Sequence, residues 1–123
     1  MSKKVLILGG AGFIGFNITK YLAENRDYQL TIADNFMKKN KDEEFDTLIN
    51  KHKIKVIEDD FSYPEAYNKL DNEYDHVYMM AALVGVDNAN TKPHEVIRIN
   101  TSLALYTLEW IRRSKIGKVV FAS

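Results

Sequence analysis

The apolar run Val5-Leu6-Ile7-Leu8 leads directly into Gly9-Gly10-Ala11-Gly12-Phe13-Ile14-Gly15, and no other stretch limits the folds open to this chain so tightly. A short aliphatic run that ends on glycines predicts a strand turning sharply into a helix. Glycines at 9, 12 and 15 have a telling spacing: the first allows the tight turn, the second lets a pyrophosphate approach bare backbone, and the third lets the helix pack closely on the sheet. A pyrophosphate placed there meets unpaired helix N-terminal amides at the positive end of the helix dipole. Glycine-rich turns between strands and helices are common, so this pattern is weak evidence until a partner is found.

The partner is Asp34, which closes a second strand-like run, Leu30-Thr31-Ile32-Ala33, 19 positions beyond Gly15. A dinucleotide fingerprint places an acid roughly 20 residues on. There a carboxylate accepts hydrogen bonds from both hydroxyls of an adenosine ribose and repels a 2′-phosphate, which predicts NAD rather than NADP. The plainer alternative is that Asp34-Asn35 is an ordinary turn pair. Lys38, Lys39 and Lys41 offer a 2′-phosphate some attraction, although a solvated basic loop accounts for them as well.

With 123 residues, 46% of them hydrophobic, the chain can bury the core of one domain. Seventeen basic and 17 acidic residues leave a formal charge of zero, so no overall field draws the chain to nucleic acid or an anionic membrane. A small-molecule partner is expected instead. The absence of cysteine removes disulfides and thiolate metal sites, and His52, His76 and His94 lack metal-ligand spacing. Lys3-Lys4 before an apolar stretch imitates a secretory leader, but the spaced glycines suit a turn better and the run is too short for a bilayer. The expected location is the cytoplasm.

Strand-length apolar runs fall at Lys4–Leu8, Gln29–Ala33, Lys55–Ile57, His76–Ala81 and Lys118–Ala122. Helical spacing connects them: Gly12–Asn25 with Ile14, Ile18, Tyr21 and Leu22; Asp42–Lys53 with Phe45, Leu48 and Ile49 inward; Tyr63–Leu70, with Pro64 in its first turn; and Pro93–Ser114 with Val96, Ile99, Leu103 and Tyr106 on one stripe. This alternation predicts an α/β fold, a doubly wound parallel sheet of Rossmann type in the order 3-2-1-4-5, comprising one domain over 1–123. Ligands of such sheets lie at the carboxyl ends of the strands. Glu58-Asp59-Asp60-Phe61 after the third strand offers a carboxylate to an adenine amino group, although a solvated acidic loop is a simpler account of the acidic tripeptide. Met80-Ala81-Ala82-Leu83-Val84-Gly85 after the fourth strand has small side chains past which the cofactor's ribose and nicotinamide half can run close to backbone, and small residues also occur there for packing. Asn100 is a poor helix former inside the longest helix, with no reason to be buried unless its amide is used, while an exposed Asn there would need no explanation.

Together these segments resemble the extended short-chain dehydrogenase/reductase family, the NAD-dependent epimerases and dehydratases acting mostly on nucleotide sugars. The resemblance runs over nearly the whole chain. Gly9 to Gly15 meets its Gly-Gly-Ala-Gly-Phe-Ile-Gly pattern, with Leu8 where Thr is usual. Asp34-Asn35 stands at its ribose position and Asp60-Phe61 at its adenine position. Ala81 to Val86 resembles its fourth-strand segment, with Met79 in place of a frequent His. Pro93 and Asn100 match its long helix, and Val119 to Ser123 resembles its fifth strand entering a serine-rich segment. The resemblance implies NAD as cofactor, a nucleotide-sugar substrate, and a homodimer formed through the helices flanking strands four and five. It also implies cofactor contacts at Gly9, Gly12, Phe13, Ile14, Gly15, Asp34, Asn35, Asp60, Phe61, Ala81, Ala82, Leu83, Asn100 and Ser123.

In that family NAD takes a hydride from a sugar carbon while a tyrosine, its pKa lowered by a nearby lysine and the cofactor's positive charge, removes the hydroxyl proton. The tyrosine and lysine are spaced Tyr-x-x-x-Lys beyond the fifth strand. None of the seven tyrosines here has that lysine: Asn25, Ile32, Tyr67, Asp71, Tyr78, Ala82 and Trp110 follow Tyr21, Tyr28, Tyr63, Tyr67, Tyr74, Tyr78 and Tyr106 at that spacing. No catalytic residue is therefore assigned, and Ser123 is expected near the cofactor rather than in the chemistry. The chain reads as the cofactor-binding portion of a longer epimerase or dehydratase, inactive as it stands. Two alternatives are a non-catalytic NAD-sensing module and an NAD(P)-dependent reductase of a non-sugar alcohol or ketone.

Overall fold

The computed structural model describes residues 2–35, 43–81 and 92–121. Its elements are β1 (Lys3–Leu8), α1 (Phe13–Asn25), β2 (Tyr28–Asp34), α2 (Glu43–His52), β3 (Lys55–Glu58), a 3₁₀ segment (Pro64–Lys69), β4 (Glu73–Met79), α3 (Pro93–Arg112) and β5 (Lys115–Phe121). All pairings are parallel and the sheet order is β3-β2-β1-β4-β5, as the alternation of runs predicts.

β1 lies at the centre because it can afford water on neither face. Val5, Leu6, Ile7 and Leu8 are fully buried, the continuous apolar run typical of a parallel strand covered on both sides. Alternation sends Leu6 and Leu8 into a core with Ile57, Tyr67, Val77, Leu103 and Trp110, under α3 and the 3₁₀ segment. Val5 and Ile7 enter the opposite core with Leu22, Ile32, Phe45 and Leu48, under α1 and α2. Each such side chain contributes about 1.5–3 kcal/mol by leaving water.

Several boundaries and faces differ from the sequence reading. β4 begins at Glu73, not His76, and ends at Met79, while β5 begins at Lys115 and not Lys118. The early residues pair with each other, Glu73 with Lys115 and Tyr74 with Ile116, and not with β1, whose ladder with β4 starts at Val5–His76. A strand pair without the central strand beside it tolerates charges, so no apolar run announces it. The Tyr63–Leu70 helix is a 3₁₀ segment, Pro64–Lys69, short enough for the tighter winding. On α1, Ile14 and Tyr21 face outward, while Gly15, Thr19 and Leu22 face in. On α3 the buried positions are Leu103, Thr107 and Trp110, with Val96, Ile99 and Tyr106 half-buried. Phe45 and Leu48 of α2 are buried and Ile49 half-buried, as expected.

Candidate functional site

The sheet order reverses between β1 and β4, and the carboxyl ends of these neighbours are joined by the Met80 amide donating to the Leu8 carbonyl at 2.7 Å. Ligands of doubly wound sheets bind outside such a point. Gly9 makes the turn there at φ +87°, a conformation that costs little only for glycine. It also lies against β4's continuation: a β-carbon on Gly9 would sit 2.6 Å from the Ala81 amide nitrogen. Gly15 is held for a second reason, since a β-carbon there would collide with the Gly9 carbonyl oxygen.

Gly12 is different. Its backbone is extended, and a β-carbon on it would touch only the Gly9 carbonyl oxygen, at 3.5 Å, an ordinary contact. Nothing in the described fold therefore requires glycine at this position. It caps α1 without a side chain, and the first helical bond runs from the Phe16 amide to the Gly12 carbonyl at 2.7 Å. The amides of Phe13, Ile14 and Gly15 lie upstream of that ladder and gather positive potential at the helix start. α1 has no acidic residue in its first turn to occupy them. A diphosphate is the ligand that would use both the amides and the missing methyl.

Asp34 ends β2 and reaches across this turn: its Oδ2 accepts from the Ala11 amide at 2.9 Å. The acid and the glycine turn, predicted separately from spacing, are thus one hydrogen-bonded unit, with the Gly9 amide donating to the Ala33 carbonyl at 2.7 Å beside it. Asn35 follows, exposed. β3 is tied to this edge by the Asp59 amide, which donates to the Asp34 carbonyl at 3.1 Å.

Beyond β3 the chain forms a tight turn at Asp60. Asp60 Oδ1 accepts from the Ser62 amide at 3.0 Å and from the Ser62 hydroxyl at 2.6 Å. Phe61 does not face the edge. Its ring is buried edge-on against Tyr67, with centroids 5.1 Å apart, so any contact it makes with a ligand is through backbone. The Lys69 ammonium, 2.9 Å from Asp59, holds that carboxyl below its ordinary range. Sequence reasoning missed Tyr67, whose hydroxyl donates to the Phe61 carbonyl at 2.9 Å and lies 2.9 Å from Thr107 Oγ1 on α3. Burial pushes this phenol up to about 12, so it remains a neutral donor far beyond physiological pH. No periodicity could have revealed a bond between positions 40 residues apart.

Asn100 is half-buried on α3. Ala82, Leu83 and Ser123, together with Lys38, Lys39 and Lys41, lie outside the described residues. An open apolar groove of about 570 Å³ runs beside α1, lined by Phe13, Ile14, Asn17, Ile18, Tyr21, Leu22 and Tyr78. It has no charged lining, and it shares Phe13 and Ile14 with the start of α1. Among the described residues there is no group of three or more His, Asp or Glu able to hold a metal, and no helix long and apolar enough to cross a membrane.

A model of the NAD dependent epimerase/dehydratase family matches residues 5–123. The chain belongs to that family. UDP-N-acetyl-alpha-D-glucosaminuronate decarboxylase of Bacillus cytotoxicus is 34% identical to this chain over 123 residues, covering 100% of this chain and 37% of its own. The Bordetella bronchiseptica enzyme WbmF, solved in complex with NAD+ and UDP, superposes with a TM-score of 0.82 at 27% identity over 98% of this chain and 35% of its own. UDP-N-acetylglucosamine 4-epimerase from Methanobrevibacter ruminantium, in complex with UDP-N-acetylmuramic acid, gives 0.79 at 26% identity over 99% of this chain and 38% of its own. The chain thus spans somewhat over a third of the length of each of these three relatives.

Proposed function

We propose that this chain binds NAD as the cofactor-binding part of a nucleotide-sugar epimerase or dehydratase. The observation that carries the reading is Gly12, a glycine that the protein's own packing does not need, placed beside a helix start and hydrogen-bonded through its turn to Asp34. In this reading the amides of Phe13, Ile14 and Gly15 hold the pyrophosphate. Asp34, oriented by Ala11, accepts from the adenosine ribose, and Asp60 accepts from the adenine amino group. Asn35, the Phe61 backbone, Ala81, Ala82, Leu83, Asn100 and Ser123 complete the contacts along the carboxyl edge. NAD supplies a reversible hydride acceptor when bound. The residues of this chain bind and orient it, and none of the chain's tyrosines is paired with the lysine that the family's proton transfer uses.

The names of the family members favour nucleotide sugars over both the sensing module and the non-sugar reductase. As it stands the 123-residue chain is expected to bind cofactor without turning over substrate. Calorimetric titration with NAD and NADP tests the cofactor assignment. NAD should bind at least about tenfold more tightly, because Asp34 meets a 2′-phosphate with like charge, worth about 1.4 kcal/mol or more. Asp34→Ala should weaken NAD by a similar factor and erase the preference. Equal affinity of the unmutated chain for the two would remove Asp34 from the ribose.

The reading includes a homodimer through α3. Ile97, Leu105 and Leu108 are 67%, 49% and 52% exposed, and their spacing places them on one stripe of that helix. Sedimentation equilibrium should show a dimer that Leu108→Glu dissociates; a monomeric unmutated chain would end this part of the proposal.

A further inference from the structure

Tyr67 and Thr107 are polar side chains facing each other in an apolar core. They are 2% and 0% exposed, amid Leu6, Leu8, Val77, Leu103 and Trp110. Burying hydroxyls is unfavourable unless they are bonded, and a pair of aliphatic residues would fill the same space without that requirement. The bonds they make are directed. Tyr67 donates to the Phe61 carbonyl at 2.9 Å, and the Thr107 hydroxyl, 2.9 Å away, is placed to donate to Tyr67 in turn. The Phe61 carbonyl belongs to the same planar peptide unit as the Ser62 amide. That amide is one of the two groups holding Asp60 Oδ1, and the Ser62 hydroxyl is the other. A rotation of this peptide plane would carry the Ser62 N–H away from Asp60. Tyr67, bonded to the carbonyl at the opposite edge of that plane, opposes such a rotation.

We propose that Tyr67 is a positioning residue for cofactor selectivity: acting through the Phe61–Ser62 peptide, it fixes the direction in which the Asp60 carboxylate accepts a hydrogen bond, and so sets discrimination between 6-amino and 6-oxo purines. The inference rests on the reading above that Asp60 faces the adenine. A carboxylate only accepts, so it is satisfied by the adenine amino group and opposed by the carbonyl oxygen that hypoxanthine carries at the same position. Oδ1 is committed to Ser62, which leaves Oδ2 for the purine. A carboxylate anchored at one oxygen aims the other; one released from Ser62 rotates and discriminates less. Thr107 contributes by orienting the Tyr67 hydroxyl from α3, so this selectivity is set from a helix that need not touch the purine.

The test compares binding of NAD and nicotinamide hypoxanthine dinucleotide by the unmutated chain, Tyr67→Phe, Asp60→Ala and the double variant. The unmutated chain should prefer NAD by about tenfold or more, the size expected of a hydrogen bond to a charged group. Tyr67→Phe should cut that preference about threefold or more, chiefly by weakening NAD, and should have no further effect once Asp60 is Ala, since coupled residues are not additive. Leu48→Ala, a comparable loosening of the opposite core, should leave the preference unchanged. Equal losses from Tyr67→Phe in both Asp60 backgrounds would overturn the inference, as would an unmutated chain that binds both dinucleotides alike. Failure of the unmutated chain to bind NAD at all would instead overturn the function proposed above, and this inference with it. Should Tyr67→Phe not fold, Thr107→Val carries the same comparison, and if neither folds the pair serves stability and the inference is wrong.

Discussion

Replacing Gly12 with alanine should leave a stably folded chain that has lost about 100-fold in NAD affinity, whereas alanine at Gly15 should markedly destabilise the fold. The two glycines lie three residues apart at the start of one helix, and intrinsic propensity would favour alanine over glycine by up to about 1 kcal/mol within a helix. Geometry separates them. At Gly12, φ −75° and ψ 171° are open to any residue and the new methyl touches only the Gly9 carbonyl oxygen, at 3.5 Å; loss of glycine at an N-cap costs about 0.5 kcal/mol. The methyl stands where a pyrophosphate would approach the amides, and displacement of that contact accounts for about 2.7 kcal/mol, a hundredfold. At Gly15 the methyl collides with the Gly9 carbonyl and lies 2.9 Å from the Gly10 α-carbon. Backbone on both sides cannot yield as a side chain can, so α1 must lift from β1, at about 3 kcal/mol or more. Urea unfolding and calorimetry separate the effects. Unchanged NAD binding by the Gly12 variant would show that the pyrophosphate does not cross this residue, and normal stability of the Gly15 variant would contradict the packing described.

The contrast also shows why one part of the site is legible in the sequence and another is not. The glycine turn and Asp34 announce themselves because each follows a strand buried on both faces, and such strands are written as largely apolar runs: Val5–Leu8 and Ile32–Ala33 are fully buried, and Leu30 is nearly so. The sheet order follows from alternation and crossover handedness for the same reason. Where burial is one-sided the text thins out. Glu73, Asp75 and Lys115 sit in β4 and β5 with exposed side chains, so hydrogen bonding alone marks them as strand. α1 presents Phe13, Ile14 and Tyr21 outward at 85%, 60% and 56% exposure, and periodicity cannot tell an apolar groove from a core stripe. The Tyr67–Thr107 contact is least legible of all, since it joins a 3₁₀ turn to the middle of a helix through two residues that look ordinary in each.

Trp110→Ala should lower stability by about 4 kcal/mol, a large share of the 5–15 kcal/mol that holds a domain folded. Trp110 is 1% exposed and fills the space between α3 and the sheet, with ring centroids 6.3 Å from Tyr67 and 6.0 Å from Tyr74. Few side chains could vacate so much volume, and neighbours as rigid as two tyrosines cannot collapse into it. Trp110→Phe should behave quite differently. The indole Nε1 is buried with no hydrogen-bond partner among the described residues, an arrangement that costs about 1–3 kcal/mol. Phenylalanine removes that unpaired donor while leaving a smaller cavity, and the opposing changes should bring the variant within about 1 kcal/mol of the unmutated chain. Thermal unfolding distinguishes the cases, with an expected drop of more than about 10 °C for alanine and a few degrees for phenylalanine. Equal destabilisation by both would mean that the bicyclic volume alone matters, with no relief from losing the N–H. Because the Trp110 ring backs Tyr67, the alanine variant should also blunt the preference for NAD over its hypoxanthine analogue, and the phenylalanine variant should keep it. That pairing of readouts links the largest buried side chain of α3 to the turn at Asp60, and a core that loosened without touching selectivity would place the support of Tyr67 elsewhere.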